Sequence, residues 1–76
     1  MAYHRGMRVT YSPDADAAYL YLVEIGPGQV TRTQSCDVAK GTINLDCDAS
    51  GQLLGIEILD ARELLPLNVI ERAEIL

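Results

Sequence analysis

Apolar and polar residues alternate along most of the first three quarters of the chain, which is the pattern of β-strands. Residues 7–11 alternate in this way, and their valine, threonine and tyrosine favour a pleated sheet. Four further strands are predicted at residues 17–23, 29–38, 42–47 and 53–59. The strand at 17–23 carries apolar residues on both faces and is predicted to be central, whereas the polar strand at 29–38 is predicted to be an edge.

Breaker residues separate these strands. Gly26-Pro27-Gly28 is the strongest turn signal, and Asp48-Ala49-Ser50-Gly51 is typical of a hairpin in which Gly51 takes a positive φ. The short runs between the breakers, and the absence of a long crossover, predict strands that follow one another as antiparallel neighbours.

The last quarter changes to a helical pattern. Asp60 is a typical N-cap, and Glu63 three residues later forms a capping-box-like pair with it. A short helix is predicted at 61–65 before Pro66, with a further turn or two within 67–76. The whole pattern predicts an α+β fold, an antiparallel β-meander of about five strands followed by a short C-terminal helical segment.

The length of 76 residues fits one small domain, predicted at 7–76, with 1–6 as an N-terminal extension. An apolar share of 49% excludes a disordered chain. A chain of this size buries only about 60% of its unfolded surface, so self-association, as a homodimer or a larger oligomer, is expected.

The net charge of −5, with no cluster of basic residues, argues against binding to a nucleic-acid backbone. The longest apolar run, 17–23, is too short to span a membrane, and the start of the chain lacks the apolar stretch of a signal peptide. A cytoplasmic location is therefore expected. Cys36 and Cys47 fit reduced thiols on neighbouring strands, with a disulfide only if they lie opposite each other.

One motif could hold a metal ion. Asp46-x-Asp48-x-Ser50-Gly51, with Glu57 six residues after the glycine, matches the spacing of a calcium loop. A calcium loop lies between two helices, whereas this motif lies between two predicted strands. The favoured interpretation is a hairpin turn whose aspartates accept local backbone hydrogen bonds, and a metal site at Asp46, Asp48 and Glu57 is the alternative.

Residues suited to catalysis are sparse. His4 is the only histidine, so a conventional nucleophile–histidine dyad would have to use it. Asp14 and Asp16 flank a turn, where solvation or helix capping is the ordinary role of an aspartate. We therefore expect a non-enzymatic protein with no cofactor. The pattern leaves open whether Tyr19 and Tyr21 line a pocket or pack within the sheet.

Two blocks of sequence resemble a small bacterial family, domain of unknown function 2283. The first block is residues 7–20, with its Tyr-Ser-Pro-Asp-Ala-Asp-Ala turn, and the second is residues 43–61, with Gly51, Gly55 and Glu57. The resemblance implies a compact β-rich domain with no assigned activity. It also implies an antitoxin-like role, because some relatives lie beside small toxin-like proteins.

The second block bears on two residues. Gly55 is expected to permit a close backbone approach or a bulge. Glu57 alternates with apolar neighbours and is expected to face solvent or to pair with Arg8 or Arg32 across the sheet.

The leading function hypothesis is an interaction module that pairs with itself and with a small partner protein. Its apolar C-terminal segment is expected to be buried against another protein surface, and either this segment or an edge strand would supply the contact. The candidate interface residues are Leu64, Leu67, Ile70 and Leu76.

Overall fold

The computed structural model describes residues 7–76, so the predicted extension at 1–6 lies outside the described residues. It is mostly sheet, with six strands and two short C-terminal helices. In chain order these are β1 Arg8–Ser12, β2 Ala17–Tyr21, β3 Arg32–Val38, β4 Gly41–Cys47, β5 Leu53–Leu59, α1 Ala61–Leu64, α2 Leu67–Arg72 and β6 Glu74–Ile75. Neither helix has the length and apolar character that crossing a membrane requires.

The strand order is β3-β4-β5-β2-β1-β6, which corrects the predicted simple meander. β2 pairs with β5 rather than with β3. In the sheet, β5 and β4 lie between β2 and β3, so the connection from β2 to β3 crosses the width of two strands. The five longer strands pair antiparallel, but β6 runs parallel to β1, which makes the sheet mixed. As predicted, β2 is central and β3 is an edge.

The two faces of the sheet differ in character because side chains alternate along each strand. One face carries Tyr11, Ala18 and Ile58, on which Ala61 of α1 packs. The partly buried Leu65, Ile70 and Ala73 complete this small core. The helices thus cover part of the apolar face over β1, β2 and β5, and Leu64 of α1 reaches Gly41 at the start of β4.

The start of α1 differs from the predicted capping box. Asp60 lies at the N-cap with a left-handed φ of 56°, and its side chain accepts no capping hydrogen bond. Asp16, in the β1–β2 turn, takes that role instead: its backbone oxygen accepts from Ala61 N at 3.0 Å, and its Oδ1 accepts from Arg62 N at 3.1 Å. A turn far away in sequence therefore fixes where the helix begins.

Candidate functional site

The sheet face opposite the helices, here called the polar face, carries the most connected group of side chains in the described residues. Register and alternation bring together Arg8, Thr10, Tyr19, Tyr21, Asn44, Asp46 and Glu57. Residues from both sequence blocks that carry the family resemblance meet on this face.

Tyr19 links β2 to β4 across the intervening β5. Its hydroxyl donates to Asp46 Oδ2 at 2.5 Å, and Thr33 Oγ1 donates to Asp46 Oδ1 at 2.6 Å. Asp46 therefore accepts from both sides and ties the edge strand β3 to the centre of the sheet. Burial, together with the hydrogen bond to Asp46, raises the pKa of Tyr19, so the phenol stays protonated and acts as a donor.

Gly55 makes this arrangement possible. A Cβ at Gly55 would lie 2.5 Å from both Cε1 and the hydroxyl oxygen of Tyr19, closer than any real contact. The group that approaches Gly55 closely is therefore a side chain and not another stretch of backbone. The register also shifts beside it, where Asp46 faces Gly55 but Cys47 faces Leu53, so the strand carries an irregularity as well.

Glu57 is half-buried and directly opposite Tyr19 on β2 and Asn44 on β4. Asn44 Nδ2 donates to Glu57 Oε1 at 2.8 Å. Of the two expected arrangements, pairing with Arg8 or Arg32 is wrong, because Arg8 pairs with Glu24 and Glu74 and Arg32 lies opposite Cys47 on the edge strand. Glu57 lies on the polar face and is only partly exposed to solvent.

Arg8 holds the neighbouring tyrosine. Its guanidinium lies 4.0 Å from the ring centre of Tyr21, and it pairs with Glu24 at 3.0 Å and with Glu74 at 3.6 Å. The rings of Tyr19 and Tyr21 lie 4.6 Å apart at a tilt of 50°. This tilted spacing is typical of favourable aromatic pairs.

Tyr19 and Tyr21 do line a depression, here called the Tyr19 groove. It has a volume of about 320 Å³. Glu57 and Leu76 also line it, and small side chains complete the lining: Thr10, Ser12, Ala15, Ala17 and Ala18. Small residues on β1 and at the start of β2 beside large rings create the hollow.

The three carboxylates of the alternative metal site have separate partners. Asp46 and Glu57 lie on the polar face, whereas Asp48 lies in the β4–β5 turn. Asp48 Oδ1 accepts from Ser50 N, Ser50 Oγ and Gln52 N at 3.0, 2.7 and 2.9 Å. These bonds lower the pKa of Asp48 and match the predicted hairpin, in which Gly51 has a φ of +88°. Across residues 7–76 no group of three potential ligands could hold a metal ion.

The candidate interface residues divide into two pairs. Ile70 packs against the core, and Leu64 lies beside Gly41. Leu67 and Leu76 are 69% and 75% exposed. Only the second pair is therefore open to another molecule.

The two cysteines are free thiols. They lie on the neighbouring strands β3 and β4, as expected, but Cys36 faces Ile43 and Cys47 faces Arg32. They are not opposite each other, and the exposed Cys36 is not a core residue.

Sequence reasoning identified Asp46, Gly55 and Glu57 but missed their common partner Tyr19. It also missed Thr33, and it left open whether Tyr19 and Tyr21 line a pocket or pack within the sheet. Alternation alone assigns Tyr19 and Glu57 to faces of their strands, but the pairing of β2 with β5 decides that the faces coincide.

A family model described as "Protein of unknown function (DUF2283)" matches residues 8–62. Searches of curated proteins and of solved structures found no match. The family match runs from β1 to the first residues of α1 and includes every described residue that forms the hydrogen bonds around Asp46. The chain therefore belongs to the DUF2283 family.

Proposed function

We propose that this protein is a non-enzymatic interaction module that forms a homodimer through the outer edge of β3. The observation that carries the proposal is that β3 is bonded on one side only and all seven of its residues are exposed. An open strand of this length offers a row of unpaired backbone groups to another strand.

The two edges of the sheet contrast in a way that supports this choice. At the β1 edge, β6 pairs with Thr10 and Tyr11, and Leu76 N donates to Tyr11 O at 2.9 Å. The chain thus covers one edge with its own C-terminus. β3 contains no proline and pairs with β4 in an unbroken register, so it lacks two of the devices that block edge pairing, and its charged residues lie near its ends, at Arg32 and Asp37.

A second copy of the chain suits this edge. Antiparallel self-pairing about a two-fold axis at the central Ser35 would place Thr33 of one copy opposite Asp37 of the other. Gln34 would face Cys36, and Arg32 would face Val38. No like charges would be opposed, although each copy carries a net charge of −5.

The limited core also supports association. In residues 7–76 only four apolar residues are buried: Tyr11, Ala18, Leu54 and Ala61. Val38, at the end of β3, is 39% exposed on the apolar side of the sheet. Pairing through β3 would extend that side across two copies and reduce the exposure of its edge.

The first test is the solution mass by light scattering. We expect a dimer for the parent chain and a monomer for Ser35→Lys, because the axis would bring two ammonium groups face to face. Asn68→Lys adds the same charge on the exposed side of α2 and should stay a dimer. A monomeric parent, or a dimeric Ser35→Lys variant, would refute β3 pairing.

Cys36 supplies a second test, because it lies next to the proposed axis. A short bis-maleimide should link two parent chains covalently, and Cys36→Ser should abolish the product. Cys47→Ser is the matched control and should cross-link like the parent. Cross-linking that depends on Cys47 instead would place the contact elsewhere.

The antitoxin-like role implied by the family resemblance stays a prediction. A small partner protein would compete with the second copy if it used the same β3 edge by strand addition. Loss of the dimer on addition of such a partner would be the sign of that competition.

A further inference from the structure

We infer that the Tyr19 groove binds a small organic cation, with Glu57 as its counter-ion and the Tyr19 and Tyr21 rings as its walls. The site is separate from the proposed dimer contact. Its lining residues lie on β1, β2, β5 and the C-terminus, and β4 separates them from β3.

The dimensions suit a small molecule. A volume of about 320 Å³ lies at the lower end of the range for ligand sites, about 300–1,000 Å³. The lining combines aromatic and aliphatic surface with the hydroxyls of Thr10 and Ser12 and one carboxylate. Such a mixture provides apolar contact together with a few polar groups that fix orientation.

Each of the three main groove side chains is held by a partner outside the lining. Asp46 accepts the Tyr19 hydroxyl, Asn44 donates to Glu57, and the Arg8 guanidinium lies over Tyr21. Such support keeps binding groups in place before a ligand arrives and lowers the entropy lost on binding.

The charges favour a positive ligand. Asn44 bonds only Oε1 of Glu57, and no side chain or backbone group within residues 7–76 donates to Oε2. Arg8, the cation nearest the tyrosines, is already paired with Glu24 and Glu74. Its position over Tyr21 is itself a cation–π contact, the interaction that a ligand cation would make with a ring of the groove.

The test uses n-butylammonium as the probe, with 1-butanol as a neutral control of the same chain length. Amide chemical shifts of the ¹⁵N-labelled protein are followed by NMR during titration. We expect butylammonium to shift the amides of Thr10, Tyr19, Tyr21 and Glu57 in a saturable way, and 1-butanol to leave them largely unchanged. Equal shifts with both probes, or no saturable shift with butylammonium, would overturn the inference.

Two variants and a control show which side chains contribute to butylammonium binding. Glu57→Gln keeps an oxygen that can accept from Asn44 but removes the charge, and should weaken butylammonium binding at least tenfold. Tyr21→Leu keeps an apolar wall without a π face and should weaken it severalfold. Glu71→Gln removes an equal charge from the exposed surface of α2 and should bind like the parent.

Parent-like binding by Glu57→Gln would refute the role of Glu57 as counter-ion.

Discussion

At the scale of single residues, a few side chains join segments that are distant in sequence. Asp16 accepts the Tyr11 hydroxyl at 2.8 Å and also two backbone N–H groups at the start of α1. Asp46 accepts from Tyr19 and Thr33. Because a buried or half-buried carboxylate with several donors is costly to disturb, these two aspartates hold the two faces of the sheet in place.

Gly55→Ala is expected to destabilise the protein by about 1–3 kcal/mol, the usual cost of overpacking. The added methyl would overlap the ring and hydroxyl of Tyr19, and Asp46 holds that same hydroxyl by a hydrogen bond. The free energy of unfolding from urea denaturation measures the effect.

A double-mutant cycle identifies the cause. In a Tyr19→Ala background, Gly55→Ala should cost much less, because the clashing ring is gone. If Gly55→Ala costs the same in both backgrounds, backbone flexibility rather than the Tyr19 contact explains the glycine.

At the scale of elements, the C-terminus completes the sheet. α2 places Ile70 and Ala73 against the core, and the chain then extends as β6 beside β1. The helical periodicity of residues 67–76 predicted α2 but not β6. A two-residue strand leaves no periodic signal, and it exists because β1 presents free backbone groups beside it.

Deleting residues 74–76 should lower the free energy of unfolding by about 1–2 kcal/mol, since each backbone hydrogen bond contributes about 1 kcal/mol. Amide exchange in β1 should accelerate, because the edge of β1 that pairs with β6 becomes open to solvent. Leu76→Ser keeps the backbone N–H and is the control, for which we expect unchanged protection of β1. Unchanged exchange in the deletion variant would show that β6 does not stabilise the edge.

At the scale of the whole molecule, the chain is rich in apolar residues, but few of those in residues 7–76 are buried in the core. Apolar residues make up 49% of the chain, yet only four of them are buried among residues 7–76: Tyr11, with Ala18 and Ala61 packed beside it, and Leu54. A single layer of helix over one part of a six-stranded sheet cannot enclose more. Association would supply the burial that the isolated chain lacks.

If the folded dimer is the stable state, unfolding must depend on protein concentration. A tenfold increase should stabilise the dimer by about 1.4 kcal/mol per mole of dimer and raise the urea midpoint. The Ser35→Lys monomer should show a midpoint that is independent of concentration. A parent midpoint that does not move would exclude dimerisation coupled to folding.

Much of the fold could be predicted from the pattern of residues. The predicted strand at 53–59 coincides with β5, and the other strands were found with shifts of a few residues at their ends. The largest differences are residues 22–23 and 29–31, which were predicted to belong to strands. They have strand-like composition but lie in the connection between β2 and β3. Composition sets the tendency to extend, but a strand ends where its neighbour no longer offers hydrogen-bond partners.

The candidate site was predictable only in part. Gly55 and Glu57 stand out because a glycine and a charge interrupt an apolar strand. Tyr19 does not stand out, since a tyrosine in a strand is ordinary. Its importance depends on the 2.5 Å bond to Asp46, whose residue number differs from its own by 27.

The sequence by itself determined the local elements, the hairpin turn at Asp48–Gly51, the central position of β2 and the family, because these depend on periodicity, breakers and short motifs. Only the tertiary structure decided the strand order, the parallel β6, the capping of α1 by Asp16 and the Tyr19 groove. Each of these depends on which distant strands pair and in which register, and that choice is made by the packing of the whole chain rather than by any local segment.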